Sequence, residues 1–277
     1  MFKILAGKGD ESVMILQAER LRLQYENYRV SDYMDFSVEK PEIISLIGAA
    51  DSEKSTLLQI LGRVLKPLTG TVLLEKQDIR ILKPWEVAKK IAFLAQFPKA
   101  SEDMTVYEWM FYGQLKYRKL LFRENPADVA VVEAALAFVN IENLTRLRLS
   151  KLTAGQRQCV SIAMALTHKP EVLLMEEPIL GLDIYEQLEV MTLLNRLKKQ
   201  LGLTILITMQ DLNQAARFSD RLLALKQGNI IADGNVKEVF TAEILRQLYD
   251  IDDKTMNLPR DVMNQCLYLP ADIGQPA

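Results

Sequence analysis

Four short, unbroken apolar runs constrain this chain more than any other feature: Ile43–Ile47, Val172–Met175, Thr204–Thr208 and Leu222–Leu225. None alternates apolar with polar, which is the pattern of a strand covered on both faces. Between them lie longer helical patterns. In Ile184–Gln200, for example, Leu188, Met191, Leu194 and Leu197 fall on one face. Two-faced strands separated by helices predict an α/β fold with a parallel, doubly wound core sheet.

Two regions depart from this rhythm. Val13–Tyr25, Asp35–Val38 and Thr71–Ile79, the last just after Gly70, read as strands without intervening helices and predict an antiparallel β-subdomain. From about Phe97 to Ser150 helix signals dominate. Asn125 is a candidate N-cap and Pro126 a first helical residue, with Val129, Val132, Leu136 and Val139 down one face. The expectation is one domain over residues 12–255, a helical subdomain at about 97–168 inserted in its core, and a loop-rich tail over 256–277.

Composition narrows the function. With 34 basic and 36 acidic side chains the net charge is −2, so no global field points to nucleic acid. Two cysteines and one histidine exclude a disulfide framework and a Cys/His zinc cluster, and predict a reducing, cytosolic setting. No segment reaches the roughly 18 to 20 apolar residues of a membrane span, and the apolar stretch in MFKILAGKGDESV is too short for a signal peptide.

The first chemical motif follows the run Ile43–Ile47. Gly48-Ala49-Ala50-Asp51-Ser52-Glu53-Lys54-Ser55-Thr56 leads into a helical pattern from Leu57. A phosphate-binding loop needs backbone N–H groups wrapped at a helix N-terminus, a lysine for the outer phosphates and a hydroxyl for Mg²⁺. Gly48, Lys54 and Ser55 are in register with that template, but Glu53 stands where a second glycine belongs. Its Cβ opposes a positive φ and its charge opposes a polyphosphate. Asp51 also adds charge, although aspartate tolerates the left-handed conformation better.

Further motifs follow in order. Leu152-Thr153-Ala154-Gly155-Gln156 opens a helix, and Val172–Met175 runs into the paired acids Glu176 and Glu177, then Leu182-Asp183. A strand ending in two carboxylates suits one acid to hold Mg²⁺ and the next to polarise an attacking water. With Tyr25 before the first core strand, Gln96 after Ile91-Ala92-Phe93-Leu94-Ala95, and Thr208-Met209-Gln210-Asp211, the chain resembles an ATP-binding cassette (ABC) ATPase from about residue 12 to 270. The stretches Asp211–Gly228, Met104-Thr105-Val106 and Leu248–Asp252 are similar to the subfamily that serves iron-siderophore, haem and cobalamin importers.

That resemblance implies a set of roles. Tyr25 would stack on adenine, and Gly48, Ala49, Ala50, Asp51, Ser52, Glu53, Lys54, Ser55 and Thr56 would surround the phosphates. Ser55, Gln96 and Glu176 would place Mg²⁺, Glu177 would orient the lytic water and Gln210 would stand at the switch position. Thr153, Ala154, Gly155, Gln156 and Asp183 would act across a head-to-tail pair of ATPase subunits, with signature-helix N–H groups facing the γ-phosphate. Membrane permeases would dock near Gln96 and the helical insertion, making the protein peripheral on the cytoplasmic face. Tyr107, Trp109, Phe111 and Tyr112 lie there and read equally as core or as dock.

Several positions depart from the family pattern: Asp51, Glu53, Glu176 for aspartate, Thr153-Ala154 for serine-glycine, and Gln210 for histidine. They leave a second reading from another class, a pseudo-ATPase or an altered version of a working ATPase that keeps the scaffold but binds nucleotide weakly or hydrolyses it slowly, and acts as a structural or regulatory subunit. His168 has no catalytic role in either reading. Cys159 and Met164 read as a changed packing surface on the signature helix.

Overall fold

A computed structural model describes residues 15–25, 29–38, 41–95, 103–115 and 126–251. Among the described residues four strands come first: β1 (Leu16–Arg22), β2 (Gln24–Tyr25), β3 (Arg29–Val30) and β4 (Met34–Val38). Then come β5 (Ile43–Ile47), α1 (Lys54–Leu61), β6 (Thr69–Leu74), β7 (Gln77–Asp78), α2 (Pro84–Lys90) and β8 (Ile91–Leu94). Three helices follow, α3 (Val106–Leu115), α4 (Pro126–Val139) and α5 (Ala154–Leu166). The chain returns to the core through β9 (Val172–Glu176), α6 (Ile184–Leu201), β10 (Thr204–Thr208), α7 (Leu212–Phe218), β11 (Arg221–Lys226) and β12 (Asn229–Asn235), and the last described elements are α8 (Val236–Val239) and α9 (Ala242–Tyr249).

The core sheet has the order β12-β11-β5-β10-β9-β8. All neighbours pair in parallel except β12, which runs antiparallel to β11 at the edge. A second, antiparallel sheet has the order β4-β1-β6-β7. The four apolar runs are unbroken because each feeds two cores in alternation. Ile43 and Ile47, Leu173 and Met175, Ile205 and Ile207, and Leu222 and Ala224 belong to a core shared with α4, α5 and α6. Ile44 and Leu46, Val172 and Leu174, Leu206, and Leu223 and Leu225 belong to the core shared with α1 and the antiparallel sheet. Parallel strands covered on both sides are what this pattern dictates.

Helices α3, α4 and α5 stand between β8 and β9, where a helical insertion is expected, and α4 begins at Pro126; Asn125 lies outside the described residues. On α4, Val132, Leu136 and Val139 are buried and Val129 half-buried. The aromatic cluster divides. Trp109 is buried, stacked on the exposed Tyr112 with ring centroids 5.8 Å apart, and Tyr107 packs against Phe111 at 4.7 Å. Among the described residues no helix is long and apolar enough to cross a membrane.

Candidate nucleotide site

Strand β5 and helix α1 hold the turn 48–53 between them, and its first residue leaves no room for a side chain. Gly48 has φ +151°, and a Cβ there would lie 2.2 Å from the Leu225 carbonyl oxygen and 2.6 Å from Ser52 Oγ. Within the turn, Lys54 is buried and folds back, donating from Nζ to Gly48 O at 2.9 Å, Ala49 O at 2.6 Å and Ser52 Oγ at 3.0 Å. Burial lowers the ammonium pKa from the ordinary lysine value, opposed by the nearby carboxylates of Glu177, Asp51 and Glu53. A buried cation inside a cradle of backbone suits an anionic guest.

Glu53 takes the glycine conformation that its position demands, with φ 68° and ψ 26°. It is the N-cap of α1 yet makes no side-chain cap; instead its carboxylate accepts a hydrogen bond from the Thr56 hydroxyl at 2.5 Å. Its charge is thereby held over the helix N-terminus where phosphate would bind. Asp51 corrects the expectation drawn from its sequence position, because it does not adopt positive φ. It is exposed, as are Ala50 and Ser55, while Ser52 is buried and donates its hydroxyl to Ala49 O at 2.7 Å.

The paired acids lie at the end of β9, and each is held differently. Glu176 Oε1 accepts from Gln59 Nε2 on α1 at 2.8 Å, which brings this carboxylate beside the phosphate-loop helix. Glu177 has φ 42°, and its backbone N–H donates to Thr208 Oγ1 at 2.9 Å. Gln210 Nε2 donates to Glu177 Oε1 at 2.6 Å. The other oxygen, Oε2, is buried and has no hydrogen-bond partner among the described residues. A carboxylate oxygen left in this way has room to accept a hydrogen bond from a further group.

The signature turn is closed by its own side chains. Thr153 caps α5 by accepting from Gln156 N at 3.2 Å, and Gln156 Oε1 accepts from Thr153 N at 3.0 Å. Thr153 and Ala154 are exposed, Gly155 is buried, and Gly155 N–H donates to Glu186 Oε1 at 3.2 Å. Asp183 is the N-cap of α6, accepting from Glu186 N at 2.8 Å. Hydrogen bonds and charge link Lys54, Glu176, Glu177 and Gln210 around α1 and β9, whereas the signature turn is hydrogen-bonded to α6. Gln96 and the side chain of Tyr25 lie outside the described residues. Burial pushes the Cys159 thiol up to about 11, so this half-buried cysteine is a packing residue.

Gln59 and Glu186 are the neighbours that motif reading missed. Gln59 left a trace, a lone amide in the apolar run Leu57–Leu61. Glu186 was hidden, because the spacing Asp183-x-x-Glu186 reads as a capping box closed on itself.

A backbone cradle ahead of a helix, a buried lysine and an adjoining pair of acids define a P-loop nucleotide-binding domain. A family model described as ABC transporter matches residues 31–180. The chain is 36% identical to the iron(3+)-hydroxamate import ATP-binding protein FhuC of Bacillus subtilis (strain 168), covering 91% of this chain and 94% of that one. It is 34% identical to the ferric enterobactin transport ATP-binding protein FepC of Escherichia coli (strain K12), covering 90% and 94%. Among solved structures, the ADP conformation of MJ1267, an ATP-binding cassette of an ABC transporter, superposes with a TM-score of 0.78 at 27% identity, covering 87% of this chain and 100% of that one. The chain belongs to the ABC transporter family as one of its ATP-binding subunits.

Proposed function

We propose that this chain is the ATPase of an importer for siderophore-type iron chelates, working as a pair of copies beneath membrane permeases. The observation that carries the chemistry is the Glu177 carboxylate, fixed at one oxygen by Gln210 and unpaired at the other, beside Lys54. The cargo class is supported by relatives described as ATP-binding proteins of iron(3+)-hydroxamate import, petrobactin import and ferric enterobactin transport.

Lys54 gives up the carbonyls of Gly48 and Ala49 to meet the outer phosphates of ATP. Ser55, Glu176 and Gln96 would hold Mg²⁺; among the described residues no group of three His, Cys, Asp or Glu side chains could hold a metal by itself. Bound there, the ion would supply positive charge to the phosphates. Glu177 Oε2 accepts a proton from the attacking water while Gln210 keeps Oε1 in place. As an amide, Gln210 donates this hydrogen bond without bringing positive charge.

Two surfaces suit the partners. Leu180, Ile184 and Tyr185 are 57%, 76% and 69% exposed around Asp183, an apolar rim for a second copy. Exposed Val64, Leu65, Ile81 and Trp85 form a face for a permease. Val64, Leu65 and Ile81 sit on two loops, with Trp85 just beyond in the first turn of α2, and Arg63 ties the loops together, donating to Leu82 O at 2.8 Å and Arg80 O at 3.2 Å. Apolar surface in such loops marks an interaction site.

Glu177→Gln tests the assignment. It removes the base while keeping the shape, so Mg-ATP turnover should fall by about 10²-fold or more with nucleotide binding retained. Turnover near the unaltered rate in a phosphate-release assay would move the base elsewhere. For the cargo, the chain should restore ferric-hydroxamate uptake to a strain lacking its own such ATPase.

A further inference from the structure

Helix α6 opens with Asp183 and carries Glu186 three residues later, the spacing at which a glutamate normally reaches back to the N-cap backbone N–H. Elsewhere in this chain that closure forms. Thr153 N–H donates to Gln156, Thr105 N–H to Glu108 at 2.8 Å, and Asn235 N–H to Glu238 at 2.9 Å. At α6 only half of it forms. Asp183 accepts from Glu186 N at 2.8 Å, but the Glu186 carboxylate turns away and accepts the Gly155 N–H at the start of α5.

This diverted contact is close along the whole side chain. A Cβ at Gly155 would lie 2.9 Å from Cβ, Cγ and Cδ of Glu186 alike, so Glu186 lies across the glycine and helps bury it. The turn that carries it is anchored on its other side, where Gln187 Nε2 donates to Leu182 O at 2.9 Å and Gln187 Oε1 accepts from Gln214 Nε2 at 3.2 Å. The carboxylate therefore occupies an N–H at the N-terminal end of the signature helix. It also places a negative charge where that helix would otherwise favour an anion.

We infer that Glu186 is a gating residue: its carboxylate competes with the phosphate of a partner copy's ATP for the Gly155 N–H, and it must be displaced when two copies close on nucleotide. The inference rests on the reading above, in which the signature turn of one copy serves the ATP of another. Removing the carboxylate should therefore ease association, whereas a merely supporting role for Glu186 would make its removal hinder association. The two roles predict opposite signs.

The measurement is sedimentation velocity of the full chain in Mg-ATP, with Glu177→Gln in every sample so that ATP persists. Glu186→Ala should shift the monomer–dimer midpoint to about tenfold lower protein concentration. Glu186→Gln, which keeps the size and an acceptor but not the charge, should shift it in the same direction by less, and it carries the test should the alanine variant fail to fold. An unmoved midpoint, or one moved to higher concentration, overturns the inference while leaving the ATPase reading intact. Failure of the Glu177→Gln chain to bind ATP by calorimetry overturns that reading and this inference with it.

Discussion

The phosphate loop and the signature turn both lead into the N-terminus of a helix, yet they are held by opposite means. At the signature turn the local preferences agree with the fold: Thr153 and Gln156 close a capping box at the start of α5. At the phosphate loop the local preference is overruled. Glu53 is forced to φ 68° and caps nothing, while the turn is held by Lys54, by Ser52 and by the Leu225 carbonyl pressed against Gly48. Departures from the family pattern thus have unequal consequences. Thr153 and Ala154 sit in a turn that accommodates them, whereas Glu53 sits in one that does not.

Breaking the tertiary hold on the loop should give the largest effect. Gly48→Ala puts a methyl 2.2 Å from the Leu225 carbonyl oxygen, a backbone atom with no easy way to yield. Strand β11 or the loop itself must then move, so unfolding stability should drop by about 3 kcal/mol and ATP binding should be lost. If Gly48→Ala bound Mg-ATP as the unaltered chain does, the loop would not depend on this close approach.

Relieving the strain is the next test. Glu53→Gly removes a non-glycine residue from the left-handed region, a conformation that costs roughly 1–2 kcal/mol, and removes the carboxylate held over the α1 N-terminus. Mg-ATP should bind at least tenfold more tightly by calorimetry, with a gain of about 1 kcal/mol in stability. Affinity that stays level would mean that the Thr56 hydroxyl already keeps this charge out of the phosphates' way. The parallel reversion Asp51→Gly should do less, because Asp51 is exposed and has no positive φ to relieve.

The same contrast explains what could be read beforehand. Strands β5, β9, β10 and β11 were legible because burial on both faces erases polar punctuation. The edge strand β12, half-buried with the sequence Asn-Ile-Ile-Ala-Asp-Gly-Asn, carried no comparable run. The motif residues Gly48, Lys54, Glu177 and Gln210 were legible because their chemistry dictates their spacing. The partners Gln59 and Glu186 were not. Each is positioned by an element distant in sequence, Gln59 opposite β9 and Glu186 against α5, and a pattern read along one helix is blind to the helix it meets.

The smallest expected effect falls on the turn that holds itself. Thr153→Ala removes the hydroxyl that accepts Gln156 N–H and opens the capping box, while Leu152 and the buried face of α5 stay packed. The loss should be that of a helix cap alone, about 1 kcal/mol, or roughly 2–4 °C in Tm for a chain of this size. Thr153→Ser should restore it, because serine offers the same acceptor. A much larger drop would show that the box braces the packing of α5 against α6 as well as ending a helix. In that case the signature turn would depend on its surroundings as the phosphate loop does, and the difference between the two would be one of degree.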